Sequence, residues 1–511
     1  MPSCRVWCNR TCEAEEGGGL SFREASLTAA HNSPLQTVES EIQAHSSGLR
    51  RELGLLDLVL AQILLVIVPD FFGTAVKAGS SHVVLWLAAM LLFFIPLALI
   101  VAHLNRLMPL EGGLYEWARL AFGDQIGFLV AWNLWLFIML YVAVIGLVTT
   151  TFLAYAVPSL AWMADNKWAV LAASVVLIAA QMLLASIGFG VGKWFNNAGS
   201  IAVLITVAVL VGLPVVNAWR GTLDAFHPLR LVAPPLTVFT LSVFSKMTFG
   251  ALSGFEYVAI FAGESRNPVR NIGRSILITA PVIALIYIFT TSAILAYVSP
   301  DAVDVIGPIP QALRLGFGNF GAVIVPVAIF LLLANYLSTF SLYFSGSARL
   351  PMAAGWDHML PAWFSRLHVR YKTPVNSILF LGGATLAASI AALIGVGEQE
   401  AYELLLTWGF TFYGLAYLAL FAIPIFAPKA SGIRPGIGLR AAAASGLLVT
   451  LLFVVLSIFP IIRVESASTY SWKIAAGVIG ANLLGWMIYR AGTVHVPGQT
   501  VRQSDSNPKS G

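Results

Sequence analysis

The sequence predicts an all-α membrane protein of about 12 transmembrane helices. Three observations carry that prediction: a surplus of apolar residues, a series of apolar runs of bilayer length, and a sorting of basic residues that agrees with the number of runs. Of the 511 residues, 58% are hydrophobic and 10% are charged. Soluble domains carry roughly a quarter of their residues as Asp, Glu, Lys and Arg, so most of this surface faces something other than water. A helix crossing the hydrocarbon core needs about 20 mostly apolar residues. Lipid offers no partner to a backbone amide or carbonyl, which restricts spanning structures to helices and closed barrels. The period-2 alternation of a membrane barrel is absent from the sequence.

Apolar runs fall at about 54–77, 83–104, 125–156, 168–189, 195–216, 236–263, 272–298, 319–345, 375–396, 401–425, 438–462 and 471–490. An even number of spans places both termini on one side. The tails and the loops on that side hold 21 of the 29 Lys and Arg, among them Arg50, Arg51, Arg266, Arg270, Arg274, Arg349, Arg366, Arg370 and Lys372. The opposite loops hold seven: Lys77, Lys167, Arg220, Arg230, Arg314, Arg463 and Lys473. One, Lys246, lies inside a run. Basic residues concentrate in cytoplasmic loops, so both termini are expected in the cytoplasm of a multi-pass plasma-membrane protein. A missed helix would scramble this bias.

The net charge of +5 does not indicate a nucleic-acid partner, because the basic residues are dispersed between apolar runs. Residues 1–50 and 493–511 are polar and poor in core-forming residues, as in disordered cytoplasmic tails; residues 51–492 read as one transmembrane domain. No signal peptide precedes the first run. The three cysteines, Cys4, Cys8 and Cys12, match no zinc spacing and no disulfide framework. Neither a metal nor a cofactor is expected.

Two runs are interrupted in their middles. The first reads Val68-Pro69-Asp70-Phe71-Phe72-Gly73. Pro69 removes an amide and clashes with the preceding turn, Gly73 weakens the helix, and Asp70 stands at membrane depth. The sixth reads Phe249-Gly250-Ala251-Leu252-Ser253-Gly254, followed by Phe255-Glu256. In a five-plus-five repeat these two runs head the two halves. Gly- or Pro-interrupted segments at corresponding positions of two repeats mark the binding site of a carrier. Unwinding frees amides and carbonyls, and half-helix ends carry opposed partial charges. Residues 68–73 and 249–254 are therefore the candidate substrate contacts, although Gly and Pro also produce ordinary kinks in membrane helices.

Further residues carry a resemblance. The stretch Pro109-Leu-Glu-Gly-Gly-Leu-Tyr115-Glu-Trp117, closing with Ala121-Phe122-Gly123, follows the second run. Gly254-Phe255-Glu256 precedes Gly263-Glu264-Ser265-Arg266-Asn267-Pro268. Ser347-Ala348-Arg349, Asp357-His358-Met359-Leu360-Pro361 and Lys372-Thr373-Pro374 follow the eighth. In these motifs and their order the chain resembles the amino acid–polyamine–organocation permeases across roughly residues 50–425. The resemblance implies a leucine-transporter-like fold: two inverted five-helix repeats with spans one and six broken, plus two extra C-terminal helices, working by alternating access. It implies an amino acid or amine held between spans one, three, six, eight and ten. The chain also departs from the family. The glycine-rich break of span one, whose amides cradle a substrate carboxylate, is here Val68-Pro69-Asp70-Phe71-Phe72. His103 replaces the usual acid near the end of span two, and span five lacks the lysine of several relatives.

A charge at the bilayer centre costs about 2.5–3.5 kcal/mol on insertion scales, which singles out Asp70. It could bind a substrate ammonium, carry a proton, or pair with Lys246 across the two broken helices. Glu256 could relay protons or accept bonds from freed amides. Ser338 and Thr339, with Asn335 and Ser341, offer oxygens for an ion site or for packing. The coupling candidates are thus Asp70, Lys246, Glu256, Ser338 and Thr339. Asp57, Glu264 and His103 lie near the cytoplasmic boundary, where pairing with loop arginines is the simpler reading. Phe249, Phe255, Trp132, Trp135 and Tyr141 could gate the site, bind an amine by cation–π contact, or simply pack. The reading that unites these residues is a secondary transporter, not an enzyme, moving an amino acid or related amine, proton-coupled or exchanging. A polyamine or monoamine carrier selected by Asp70, a substrate-sensing transceptor and a membrane enzyme are the alternatives.

Overall fold

The computed structural model describes residues 53–107, 113–187, 189–223, 229–256, 265, 268–353, 363–364, 366–368, 371, 373–394, 397–426, 435–462, 464 and 466–494. The cysteines, residues 1–50 and 495–511 of the tails, Glu264 and the motif Asp357–Pro361 lie outside these residues. Among the described residues, ten helices are long and apolar enough to cross a bilayer. They are span two (Gly79–Asn105), three (Asp124–Ala156), four (Lys167–Ile187), five (Trp194–Trp219), seven (Arg270–Leu295), eight (Ile324–Leu350), nine (Val375–Ala392), ten (Glu398–Phe426), eleven (Ile437–Leu456) and twelve (Ala467–Ala491). Span one is a pair of helices, Leu55–Val66 and Asp70–Val76, bent by 52°. The shorter apolar helix Val238–Leu252 stands at the sixth position, and residues 257–264 beyond it are not described. The protein is therefore a multi-pass helical membrane protein, with each expected run occupied.

The packing has the order of an inverted repeat. Span ten lies along span three, and span five along span eight. These are equivalent pairs when spans one to five are laid on six to ten. The connections match as well. A nine-residue helix, Leu114–Phe122, joins spans two and three, and a ten-residue helix, Pro308–Phe317, joins seven and eight. Each carries an Arg in its last turn and ends on a glycine of positive φ, Gly123 at 89° and Gly318 at 51°. Glycine tolerates that region because it has no Cβ.

Both breaks have local causes. In span one the last helical amide bond runs from Ile67 to the Ile63 carbonyl at 2.9 Å. Pro69 then supplies no amide and biases Val68 away from the helical region. The helix resumes at Asp70 with Pro69 as its N-cap. In span six Ser253 turns extended, with ψ 161°, and Gly254 adopts φ +120°. The breaks thus fall at Ile67–Pro69 and Ser253–Gly254, offset from the centres of the interrupted stretches read in the sequence. Gly73 and Gly250 stay helical and serve close packing instead. A Cβ on Gly73 would lie 3.1 Å from the Val305 Cα, and one on Gly250 would lie 2.0 Å from the Phe71 ring.

The helix Leu114–Phe122 buries an acid outside the spans. Glu116 is 1% exposed and reaches Arg119 at 3.5 Å, while Arg119 also binds Asp124 at 2.9 Å. Burial pushes the Glu116 carboxyl up to about 7, against the opposing pull of Arg119. A carboxyl raised in the folded state favours folding below its unfolded value near 4.5, and that contribution is lost as pH rises to about 7. The thermal midpoint of the purified protein is expected to fall across pH 4.5–7 with a Glu116 component. Glu116→Gln should flatten that component, which thermal melts at a series of pH values would check.

Candidate functional site

The two breaks lie against each other, and their freed backbone groups are taken up by tyrosine hydroxyls from neighbouring spans. Tyr287 of span seven stands at the junction. Its hydroxyl accepts from the Val68 amide at 3.1 Å and shares its proton between the Val66 carbonyl, at 2.6 Å, and the Ala251 carbonyl, at 3.0 Å. Tyr343 of span eight donates to the Leu65 carbonyl at 3.1 Å, and Thr339 to the Leu64 carbonyl at 3.3 Å. The Gly254 amide donates to the Tyr417 hydroxyl of span ten at 2.8 Å. A Cβ on Gly254 would stand 3.3 Å from both the Leu65 carbonyl oxygen and the Tyr343 hydroxyl. Glycine is needed there for space as well as for backbone angle.

Two buried acids flank the junction. Asp70 is 3% exposed and accepts from three tyrosines on three spans: Tyr402 of span ten, Tyr336 of span eight at 2.9 Å and Tyr141 of span three at 3.4 Å. Glu256, 2% exposed, accepts from Tyr413 and Tyr417, both of span ten. Each acid lies four residues past the last helical residue of its broken span, Val66 for Asp70 and Leu252 for Glu256. They occupy equivalent places in the two repeats. Tyr402 and Tyr413 are eleven residues apart on one helix, about 16 Å at 1.5 Å per residue. Asp70 and Glu256 therefore sit at different depths, and span ten reaches both.

Lys246 does not pair with Asp70, as one reading of the sequence had it. Its ammonium lies 2.9 Å from the Glu403 carboxylate of span ten, with the side chains 6% and 8% exposed. Glu403 is the residue after Tyr402, so the nearer acid to Lys246 comes from span ten and not from span one. Thr407 reaches Glu403 at 3.5 Å, and Tyr470 of span twelve donates to Thr407 at 3.0 Å. Asp70, Lys246 and Glu403 line one small cavity together with Phe71, Thr74, Val305, Tyr402, Leu406, Thr407, Phe410, Phe453 and Ile461. It measures about 20 Å³, room for about one water molecule.

Of the expected contacts, Asp70 and Phe71 line this cavity, as does Lys246. Val68, Pro69, Phe72, Gly73 and Phe249–Gly254 are buried around the junction without lining it. Phe72 tilts against Tyr287 at 4.9 Å, and Phe249 stacks on Phe453 at 4.5 Å. Ser338 donates to the Phe195 carbonyl at 3.1 Å and Asn335 to the Gly199 carbonyl at 3.4 Å, so both tie span eight to span five. Tyr141 faces Asp70, whereas Trp132 and Trp135 stack on each other at 5.9 Å and Trp135 on Phe380 at 5.6 Å. Phe255 stacks on Phe94 at 4.9 Å. Asp57 accepts from the Gly54 amide at 2.8 Å and from Asn197 at 3.0 Å. Glu403 and the tyrosines of spans seven, eight and ten were not anticipated. The available signal was a glutamate and three tyrosines inside one apolar run, 401–425, which a count of Gly and Pro passes over.

Residues 53–481 match the family model described as amino acid permease. Among curated proteins, the chain is 27% identical to an uncharacterized transporter of Legionella pneumophila, over 74% of this chain and 81% of that one. It is 23% identical to a probable agmatine/putrescine antiporter of Lactococcus lactis, over 74% and 78%. It is 25% identical to a branched-chain amino acid permease of Bacillus subtilis, over 68% and 76%.

The Tyr287 hydroxyl serves three backbone groups, so its removal takes the phenol donor from the Ala251 carbonyl and leaves the Val68 amide only its bond to the Val66 carbonyl at 2.9 Å. Leaving such a group unsatisfied costs about 1–3 kcal/mol. Tyr287→Phe is expected to lower the thermal midpoint of the purified protein measurably. An equally buried phenol that serves no backbone group, Tyr470, gives the control: Tyr470→Phe should cost less.

Proposed function

The chain belongs to the amino acid permease family, and from that premise we propose that it is a secondary transporter of amino acids or amines that selects substrates bearing a positively charged nitrogen. The observation that carries the selection is Asp70. Three hydroxyls hold its oxygens, and among the described residues no cation pairs with it. A buried carboxylate without a counter-charge is costly, and a substrate ammonium supplies that charge. Phe71 and Phe410, edge to face at 4.7 Å, give the ammonium aromatic walls for cation–π contact. The antiporter of agmatine and putrescine among the relatives supports the same choice.

The backbone points the same way. In the glycine-rich form of the span-one break that the sequence departs from, backbone amides hold a substrate carboxylate. Here Pro69 has no amide, while Val68 and Gly254 spend theirs on Tyr287 and Tyr417. Recognition therefore rests on side-chain charge. We further place the carrier in the plasma membrane with both termini cytoplasmic, following the charge bias of the loops. An unneutralised Asp70 resists reorientation through the apolar bundle, so the return step carries a cation, either a counter-substrate or a proton. Glu256, at the equivalent place in the second repeat, is the acid nearer the opposite face and the second candidate for proton coupling.

Uptake into proteoliposomes, with neutral, acidic and basic amino acids and amines as competitors, tests the selection. Cationic compounds are expected to compete, and Asp70→Asn to weaken them about 100-fold or more, since leaving one charge of a buried pair unmatched costs about 3–5 kcal/mol. Unchanged competition in Asp70→Asn would refute the assignment. Preloading the vesicles with unlabelled substrate should accelerate uptake several-fold at equal pH on both sides. Without preloading, uptake should require an outward proton gradient, acid inside, because the proton then rides the return step.

A further inference from the structure

The cavity beside Asp70 holds a second pair of charges that the selection of an ammonium leaves unused. Lys246 and Glu403 are buried, 2.9 Å apart, and both line the cavity. Such a pair adds little net stability, because the desolvation of two ions offsets most of their attraction. Its position is specific, however. Glu403 follows Tyr402, whose hydroxyl binds Asp70, so the pair and Asp70 face the same space from adjoining residues. An ammonium and a carboxylate held together in this way have the charge pattern of an amino acid head group.

We propose that the Lys246–Glu403 pair is a latent subsite for the zwitterionic head group of a basic α-amino acid. This rests on the reading of Asp70 above. The substrate α-carboxylate takes the Lys246 ammonium, its α-ammonium takes the Glu403 carboxylate, and its side-chain cation takes Asp70. One internal ion pair is exchanged for three to the substrate, and no bond is made or broken covalently. Three observations support it. First, the amides of Val68 and Gly254 are engaged and Pro69 has none, so a carboxylate needs another cation, and Lys246 is the cation in the lining. Second, the lining holds two carboxylates and one ammonium, a net charge of −1, which a substrate of net charge +1 neutralises. A free diamine of charge +2 overshoots that balance, and a neutral amino acid leaves it unmet. Third, the cavity of about 20 Å³ admits a substrate only if its walls part. Separating Lys246 from Glu403 opens space that a zwitterion repays in ion pairs.

The test uses the full-length protein in proteoliposomes and compares lysine with lysine methyl ester, with Nα-acetyl-lysine and with cadaverine as competitors of uptake. The wild type is expected to prefer lysine at least tenfold over each. In Lys246→Met the acid-over-ester preference should fall to about one, and the lysine-over-cadaverine preference should invert, since Asp70 and Glu403 then face a diamine without an opposing charge. In Glu403→Gln the preference for lysine over its Nα-acetyl derivative should fall to about one. Lys246→Arg, which keeps the charge, should retain the acid-over-ester preference, and thermal melts identify any variant that fails to fold. The wild-type ratios need no variant: equal affinity for lysine and its methyl ester overturns the proposal. So does an acid-over-ester preference that persists in folded Lys246→Met. If cadaverine and lysine compete equally and both are lost in Asp70→Asn, the Asp70 reading stands and the zwitterion subsite falls.

Discussion

A helix broken inside a membrane exposes amides and carbonyls to a medium with no water to bond them. That constraint organises the centre of this protein. Spans one and six both break, at Ile67–Pro69 and Ser253–Gly254, and the breaks abut. Tyr287, Tyr343, Tyr417 and Thr339 reach in from spans seven, eight and ten to satisfy the freed groups. Each phenol needs its own space and its own approach. Hence Gly254 cannot carry a side chain, and the aromatic rings fill the volume between the broken helices. Unwound backbone is tolerated here because protein, not lipid, surrounds it.

The satisfied backbone has a consequence for recognition. Amides committed to tyrosines are not free for a ligand, which leaves side chains as the charged groups at the junction. Asp70 and Glu256 stand at equivalent places in the two repeats, and span ten reaches Asp70 through Tyr402 and Glu256 through Tyr413 and Tyr417. Span ten also contributes Glu403 to the cavity wall. One long helix thus touches both acids at depths about 16 Å apart along its axis. Any motion of span ten relative to span one alters Asp70 and Glu403 together. This couples the site to the rocking of one repeat against the other that inverted-repeat carriers use.

Much of the fold was legible in the sequence because its cause is local or additive. Apolar runs, their lengths and the sorting of lysine and arginine follow from the partition of side chains between lipid and water. They predicted the twelve positions that the helices occupy. The resemblance of short motifs fixed the family, which the match over residues 53–481 bears out. The isolation of Asp70 at membrane depth was also visible, since a single charge in an apolar run needs no partner to be conspicuous. The centre of each break was less legible. Glycine was weighted as a breaker, yet Gly73 and Gly250 remain helical, because tertiary contacts with Val305 and Phe71 use their missing side chains.

What the sequence determined by itself was a helical membrane carrier, its orientation as an expectation, and the acid at its centre. Only the tertiary structure decided which charge meets which. Lys246 is 157 positions from Glu403, and no periodicity links them; their contact exists because the long Lys246 side chain reaches span ten from a span six that packs against spans one and eleven. The same holds for Tyr336 and Tyr402 on Asp70, at separations of 266 and 332. Hydropathy depends on composition summed along a segment, whereas ion pairs and hydrogen bonds depend on distances of a few ångströms between segments far apart in the chain. Asp70 was therefore conspicuous in the sequence, but its partners came from the fold.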